Sequence, residues 1–282
     1  MAIKADGLAD VGKTGYLSLV FRGFRYYRGF LSHQLDLLWH LVKRDFTLRY
    51  KGSVLGILWS LLLPLAQLLV LVFLFQRVIP LGIDAYPAFV FTALLPWTWF
   101  SSCLNSAGSL FLSNRDLIKK PGFSPCILVG VNTLSNLLLF LVVLPVLVIM
   151  IVAFYDKPLT PYFLLLPLLL VVNVVLIWGL SLFVATLNVF YRDIQYIVSV
   201  FVMLLFYLTP VFYSPGVITE GYRFLYNLNP VAVLIQSYRA VIFFGRAPEW
   251  GAIFIASVLS LLSCVVGYVF YRKKLHEIVD YI

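Results

Sequence analysis

The residues of this chain with the most recognisable chemistry lie near its start, where Gly7-Leu8-Ala9-Asp10-Val11-Gly12-Lys13-Thr14 matches the phosphate-cradling pattern G-x-x-x-x-G-K-[ST]. Such a loop holds phosphates with its backbone amides and the first turn of a helix, once a buried strand has delivered it. Only six residues precede this one, Lys4 and Asp6 among them, and nothing after it can supply a sheet. The match therefore reads as coincidence in a basic tail. Cys103, Cys126 and Cys264 are odd in number and lack ligand spacing, which excludes a disulfide framework or a zinc site. The carboxylates Asp84, Asp156, Glu220 and Glu249 fall in separate segments, and His33, His40 and His276 lie apart from them. A membrane transferase or hydrolase needs convergent acid, base or metal-binding groups, so this scatter argues against one.

The elements that would position any site are set by six stretches without a charged residue. They comprise 25 residues after Lys51, 30 after Asp84, 35 after Lys120, 34 after Lys157, 26 after Asp193 and 22 after Glu249. Each is long enough to cross a bilayer as a helix, which needs about 20 apolar residues because the backbone must satisfy itself where water is absent. The expected spans are about 54–76, 86–111, 124–154, 161–188, 195–213 and 250–271. With 62% hydrophobic and 12% charged residues, no segment has the composition of a separate soluble domain. The expected fold class is all-α integral membrane.

Lys and Arg set the orientation. If the N-terminus is inside, sixteen of them fall in inside segments, against Arg77, Lys157, Arg223, Arg239 and Arg246 outside. Both termini are then cytoplasmic, and the net charge of +9 reads as a topology signal and an affinity for anionic headgroups, not as a nucleic-acid surface. Trp97, Trp99 and Trp250 are expected in an interfacial belt. The apolar runs begin about 50 residues in, so no cleavable signal peptide is expected.

Ahead of the first span, Leu31, Leu35, Leu38, Leu41, Val42, Phe46 and Leu48 recur mostly three or four apart, with Lys43, Arg44 and Arg49 for a polar face. An amphipathic helix over 30–51 lying along the interface is expected, turning upward near Gly52. Residues 1–29 form a basic cytoplasmic tail, and Arg22, Arg25 and Arg28 would make a stripe if it were helical. Gly52 and Gly56 allow either a close helix approach or a flexible turn. Pro64 should kink the first span, and Gln67 beyond it prefers protein or water to lipid. Between the last two spans, 15 uncharged residues from Phe224 to Tyr238 are too few to cross, and Asn229-Pro230 interrupts them. Two short re-entrant helices are the expected solution.

The run Arg44-Asp45-Phe46-Thr47-Leu48-Arg49-Tyr50-Lys51-Gly52-Ser53-Val54-Leu55-Gly56-Ile57-Leu58-Trp59-Ser60-Leu61, followed by Pro64, resembles the opening of the polysaccharide-export permeases of the ABC-2 transporter family. Asn188 to Ile194 and Thr209-Pro210-Val211-Phe212-Tyr213-Ser214-Pro215 strengthen the resemblance, which extends from about residue 30 to the C-terminus as one transmembrane domain, 30–282.

The resemblance implies a channel subunit of a bacterial inner-membrane exporter of a lipid-linked, O-antigen-like polysaccharide. Two copies would form the channel as a homodimer, above two ATP-binding-cassette subunits that hold the ATP and Mg. No cofactor is expected in this chain, and no catalytic or metal-binding residue. Coupling to the ATPase would fall to Arg115, Asp116, Leu117, Lys119 and Lys120, with Arg192, Asp193, Lys43, Arg44 and Arg49 beside them. A bare topology-anchoring loop is the alternative for 115–120, and an internal brace the alternative for Arg192-Asp193. Channel-lining positions are Trp59, Gln67, Tyr196, Phe201, Phe206, Tyr207, Phe212 and Tyr213, unless these aromatics simply pack against lipid or helices. Glu220, Tyr222, Tyr226, Asn229 and Tyr238 would gate the outer end. An ABC-2 permease for a drug or lipid is the nearest alternative. The uncharged stretches lack any ion-binding or proton-relay residue, which agrees with energy supplied by another subunit.

Overall fold

The computed structural model describes residues 36–155, 158–217, 221, 226 and 228–282. All regular structure among them is helical. Helix α1 (36–50) leads to α2 (Leu58–Phe73), extended by a wider turn over Leu74–Val78. Then come α3 (Tyr86–Ser113), the single turn α4 (Arg115–Ile118) and α5 (Cys126–Tyr155). A 3-10 turn, Pro161–Leu165, precedes α6 (Leu166–Phe190). The chain continues with α7 (Ile194–Leu208), α8 (Pro230–Tyr238, extended over Arg239–Phe243) and α9 (Trp250–Tyr281). The phosphate-loop look-alike, the 16–30 segment, Glu220, Tyr222 and most of the first re-entrant helix lie outside the described residues.

Five helices are long and apolar enough to cross a membrane, and α3 is their central post. Its apolar window is 78% buried, against 17% for the α2 span and 22% for α5 and α9. Trp97 and Trp99, expected in an interfacial belt, are therefore core residues. They start eleven residues into α3, roughly 16 Å along its axis, and pack on Phe206 and Phe140. Trp250, by contrast, is exposed.

Helix α1 turns Leu41 and Val42 onto Ile127 and Val131 of α5, as its periodicity requires. The chain then bends through Gly52 and Gly56, both at positive φ with open space where a side chain would stand. Of the two readings of this glycine pair, the turn is the one observed. Close approach occurs elsewhere. A Cβ on Gly179 would stand 2.4 Å from the backbone nitrogen of Cys264, and one on Gly267 would stand 2.3 Å from the Gly179 carbonyl. These two glycines let α6 and α9 touch backbone to backbone, the usual way helices associate where no hydrophobic effect drives them together.

Two elements depart from the expected bounds. Helix α9 does not stop where its charge-free stretch ends at Tyr271 but continues to Tyr281, because Tyr271, Leu275 and Ile278 keep the helical spacing. They pack with Phe111, Ile118, Leu128 and Leu182 into a second core at the end of the bundle that carries α1 and α4. Helix α7 has only 15 residues, about 22 Å where a bilayer core needs about 30 Å. The residues that follow it in the same charge-free stretch, Thr209 to Ser214, are non-helical.

Candidate functional site

A non-helical segment at membrane depth is tolerable only when protein satisfies its polar groups. Arg239, on the extension of α8, does this for the segment after α7. Its side chain is completely buried, and the guanidinium donates to the carbonyl of Pro210 at 2.5 Å, to that of Tyr213 at 3.3 Å and to that of Val211. Nε reaches the Phe89 carbonyl on α3 at 3.2 Å, and the guanidinium carbon lies 3.7 Å from the centre of the Phe89 ring. The remaining carbonyl, Phe212, accepts from the Tyr86 hydroxyl at 2.9 Å. One cation with no carboxylate partner among the described residues thus holds four acceptors from two elements, a task that suits a planar fork of five donors. In the sequence, Arg239 reads only as a charge in an outside loop. The available signal is its isolation: from Phe224 to Phe244 it is the sole charged residue.

Nearer the end that carries α1 and α4, a cavity of 670 Å³ opens between α1, α2, α3 and α5. Thr98, Ser102, Asn105 and Ser106 line it from one face of α3, at spacings of four, three and one. Across from them stand Trp59 and Gln67 on α2 and Asn136 on α5. Arg49 donates to Asn136 Oδ1 at 3.1 Å and pairs with Asp45 at 3.3 Å. Asn136 donates to the Asn132 carbonyl at 2.8 Å, and Asn132 donates to the Cys103 carbonyl at 3.0 Å, so a polar chain ties α1 through α5 to α3. Trp59, Gln67 and Arg49 are thereby brought together, although the sequence suggests the coupling surface for Arg49. Asn132 and Asn136 escape the sequence reading, while their spacing of four within an apolar run is the sign of a shared polar face.

The expected channel aromatics divide into two groups. Tyr196, Phe201 and Tyr207 are exposed on α7, as Leu63 and Phe73 are on the bare apolar face of α2. Phe206 instead turns onto Trp97 at 5.5 Å and onto Phe212 at 5.7 Å, and Phe212 stacks on Phe75 at 5.0 Å. Tyr213 bonds through its hydroxyl to that of Tyr226. Among the expected gate residues, Asn229 caps α8 by accepting from the amides of Val231 and Ala232, and it donates to Thr209 at 3.3 Å. Tyr238 is fully buried against Phe140.

At the other end, α4 is pinned by Ile118, which is buried in the second core. Arg115, Asp116, Lys119 and Lys120 are exposed around it, with Leu117 half-buried. Lys43 and Arg44 are exposed on α1. Arg192 and Asp193 are exposed too, and they make no ion pair with each other. The turn between α6 and α7 is braced by Asn188, whose Oδ1 accepts from the Gln195 amide at 2.9 Å. Gln195 in turn presses on Gly108 of α3, where an added Cβ would stand 2.7 Å away.

A family profile described as ABC-2 type transporter matches residues 36–243. The chain is 31% identical over 243 residues to "O-antigen export system permease protein RfbA" of Klebsiella pneumoniae, covering 86% of this chain and 93% of that one. It is 35% identical over 215 residues to the Myxococcus xanthus protein of the same name, covering 76% and 82%. A more distant relative, 21% identical over 236 residues, is "Polysialic acid transport protein KpsM" of Escherichia coli, covering 83% of this chain and 92% of that one.

Proposed function

The chain belongs to the ABC-2 type transporter family, and on that premise we propose that it is the permease subunit of an exporter moving a lipid-linked, O-antigen-like polysaccharide across the bacterial cytoplasmic membrane. The observation that carries this reading furthest is the 670 Å³ cavity beside α3, whose hydroxyls and amides face a groove flanked by Arg49 and the Trp59 ring. Lipid has no use for such a lining, whereas a polar headgroup passing along the groove does.

Two copies would meet through the exposed apolar faces of α2 and α7, with Trp59, Gln67, Tyr196, Phe201 and Tyr207 along the path between them. The end carrying α1, α4 and the tail of α9 is cytoplasmic in this reading, in agreement with its Lys and Arg content. There Arg115, Asp116, Lys119 and Lys120 would engage an ATP-binding subunit, which holds the ATP and Mg and supplies the energy. Arg192, Asp193, Lys43 and Arg44 flank that contact. Ile118 makes α4 a suitable lever, since force applied to it reaches α3, α5, α6 and α9 through one packed core. The far end, with Arg239, Asn229 and Tyr226, serves as the gate. The chain itself is a transport subunit and not an enzyme.

The test is removal of the gene from the producing strain. Surface polysaccharide, read by immunoblot and gel ladder, should disappear while lipid-linked polymer accumulates inside, and the chain supplied in trans should restore it. Undiminished surface polymer in the deletion strain would refute the reading.

A further inference from the structure

Helix α1 closes one side of the cavity beside α3, where Arg49 and Tyr50 form the wall. Its seat is slight. Leu41 and Val42 pack on Ile127 and Val131 of α5, and Leu38 rests in a notch at Gly130, where an added Cβ would stand 2.9 Å from its Cδ1. Among the described residues, the one hydrogen bond from α1 to the rest of the bundle runs from Arg49 to Asn136 Oδ1, at 3.1 Å. The connection to α2 adds no hold. Residues 51–57 are exposed apart from half-buried Gly56. The Ser53 amide donates to the Tyr50 carbonyl at 3.1 Å and the Gly56 amide to the Ser53 hydroxyl at 3.1 Å, so these bonds stay within the connection and its flanking helices. Gly52 and Gly56 both sit at positive φ, which glycine adopts without strain. A rotation at either swings α1 without breaking a bond to another element.

The Arg49 bond suits a reversible hold. Asn136 is 4% exposed, its amide is engaged by Asn132 at 2.8 and 3.1 Å, and its oxygen has Arg49 as its donor. Because Asn136 also lines the cavity, withdrawal of Arg49 uncovers that oxygen to water, which replaces the guanidinium. Arg49 meanwhile keeps Asp45, 3.3 Å away on its own helix. Neither partner of the broken bond is left buried and unmet, so the hold releases at small cost. We propose that α1 is a strap across the cavity, hinged at 51–57 and latched by Arg49 on Asn136, whose release opens the cavity to the transported molecule. Lys43 and Arg44, exposed on the same helix, give a subunit bound at that end a direct grip on the strap. The inference rests on the polysaccharide-export reading above.

The test uses inverted membrane vesicles of the producing strain, in which the full permease–ATPase complex carries the variants. Leu38→Cys with Gly130→Cys sets two thiols face to face, since the shorter side chain removes the Cδ1 that a Cβ on Gly130 would meet. Bridging them with a short bis-methanethiosulfonate should stop ATP-driven entry of polymer into the vesicles, and reductant should restore it. Neither single-cysteine variant should respond to the reagent. Separately, Val42→Cys, at a position 1% exposed, reports opening of the strap through its rate of reaction with a membrane-impermeant maleimide. Adding Asn136→Leu should raise that rate about tenfold, the size of one hydrogen bond to a charged group, while native Cys264 on α9 keeps its own rate. Polymer entry undiminished by the bridge, absence of a bridge, equal labelling of Val42→Cys in the two backgrounds, or a matching rise at Cys264 would overturn the proposal. If the gene deletion abolishes surface polymer while Val42→Cys labels equally in both backgrounds, only the strap fails. If the deletion leaves surface polymer in place, the export reading falls and the strap's role falls with it.

Discussion

Replacing Arg239 tests whether its carbonyl array or its charge matters. In Arg239→Met, the carbonyls of Pro210, Val211 and Tyr213 lose their donor, while that of Phe89 keeps the amide of its own helix. At the low end of the cost for a buried unmet acceptor, about 1 kcal/mol each, the loss is about 3 kcal/mol. Removing the guanidinium also removes its own desolvation cost, which recovers part of that, leaving about 1–3 kcal/mol. Arg239→Lys keeps the charge but offers three donors on a flexible stem, which cannot span α3 and the post-α7 segment together or lie flat on Phe89. The charge-conserving change should therefore be at least as harmful as the neutral one. Thermal loss of the monodisperse peak in fluorescence-detected size exclusion reads this out. At about 2–4 °C per kcal/mol for a chain of this size, Arg239→Met should fall by about 2–12 °C and Arg239→Lys by no less. A near-normal Arg239→Lys beside a destabilised Arg239→Met would show that charge alone suffices. Both variants within about 1 °C of the parent would refute the array altogether.

Other outcomes rest on the same geometry. Gly179→Leu and Gly267→Leu force a side chain into a backbone contact, and each should cost at least the roughly 1–3 kcal/mol of ordinary overpacking, seen as loss of folded protein after extraction. Tyr207→Ala should lower export without lowering thermal stability, because Tyr207 is 61% exposed. Phe206→Ala should lower stability by about 2 kcal/mol, because its ring packs on Trp97 and Phe212. Reversing Arg115, Lys119 and Lys120 to Glu should abolish co-purification of the ATP-binding subunit while the permease keeps its melting temperature, since all three are exposed. Arg49→Gln should reduce export with that co-purification intact, which places Arg49 with the cavity; loss of the subunit would place it with the coupling surface.

The crossings were legible because the cost of a charge in hydrocarbon clears charged residues from whole stretches, and α2, α3, α5 and α6 follow those stretches closely. Features that depend on three-dimensional packing were not. Helix α9 runs ten residues past its apolar stretch because Ile278 finds a protein core there, which a charge count cannot register. Gly179 and Gly267 lie 88 positions apart and meet only after α6 and α9 pair, so neither forms a local motif. Gly52 and Gly56 do form one, yet they serve a turn. Arg49 groups with Lys43 and Arg44 by proximity in sequence, but five or six residues along a helix turn a side chain toward the opposite face. The aromatics of α7 look like one set because composition ignores direction, whereas Phe206 and Tyr207 point to different neighbours.

The stretch from Pro210 to Tyr213 is bound by two side chains, Arg239 and Tyr86, and not by amides of a following helical turn. A helical ladder yields cooperatively, so moving one residue disturbs the bonds on either side. Bonds from side chains can be handed over singly, each carbonyl going to water or to a passing hydroxyl while the rest stay in place. The segment can therefore shift in small independent steps while the helices around it stay intact.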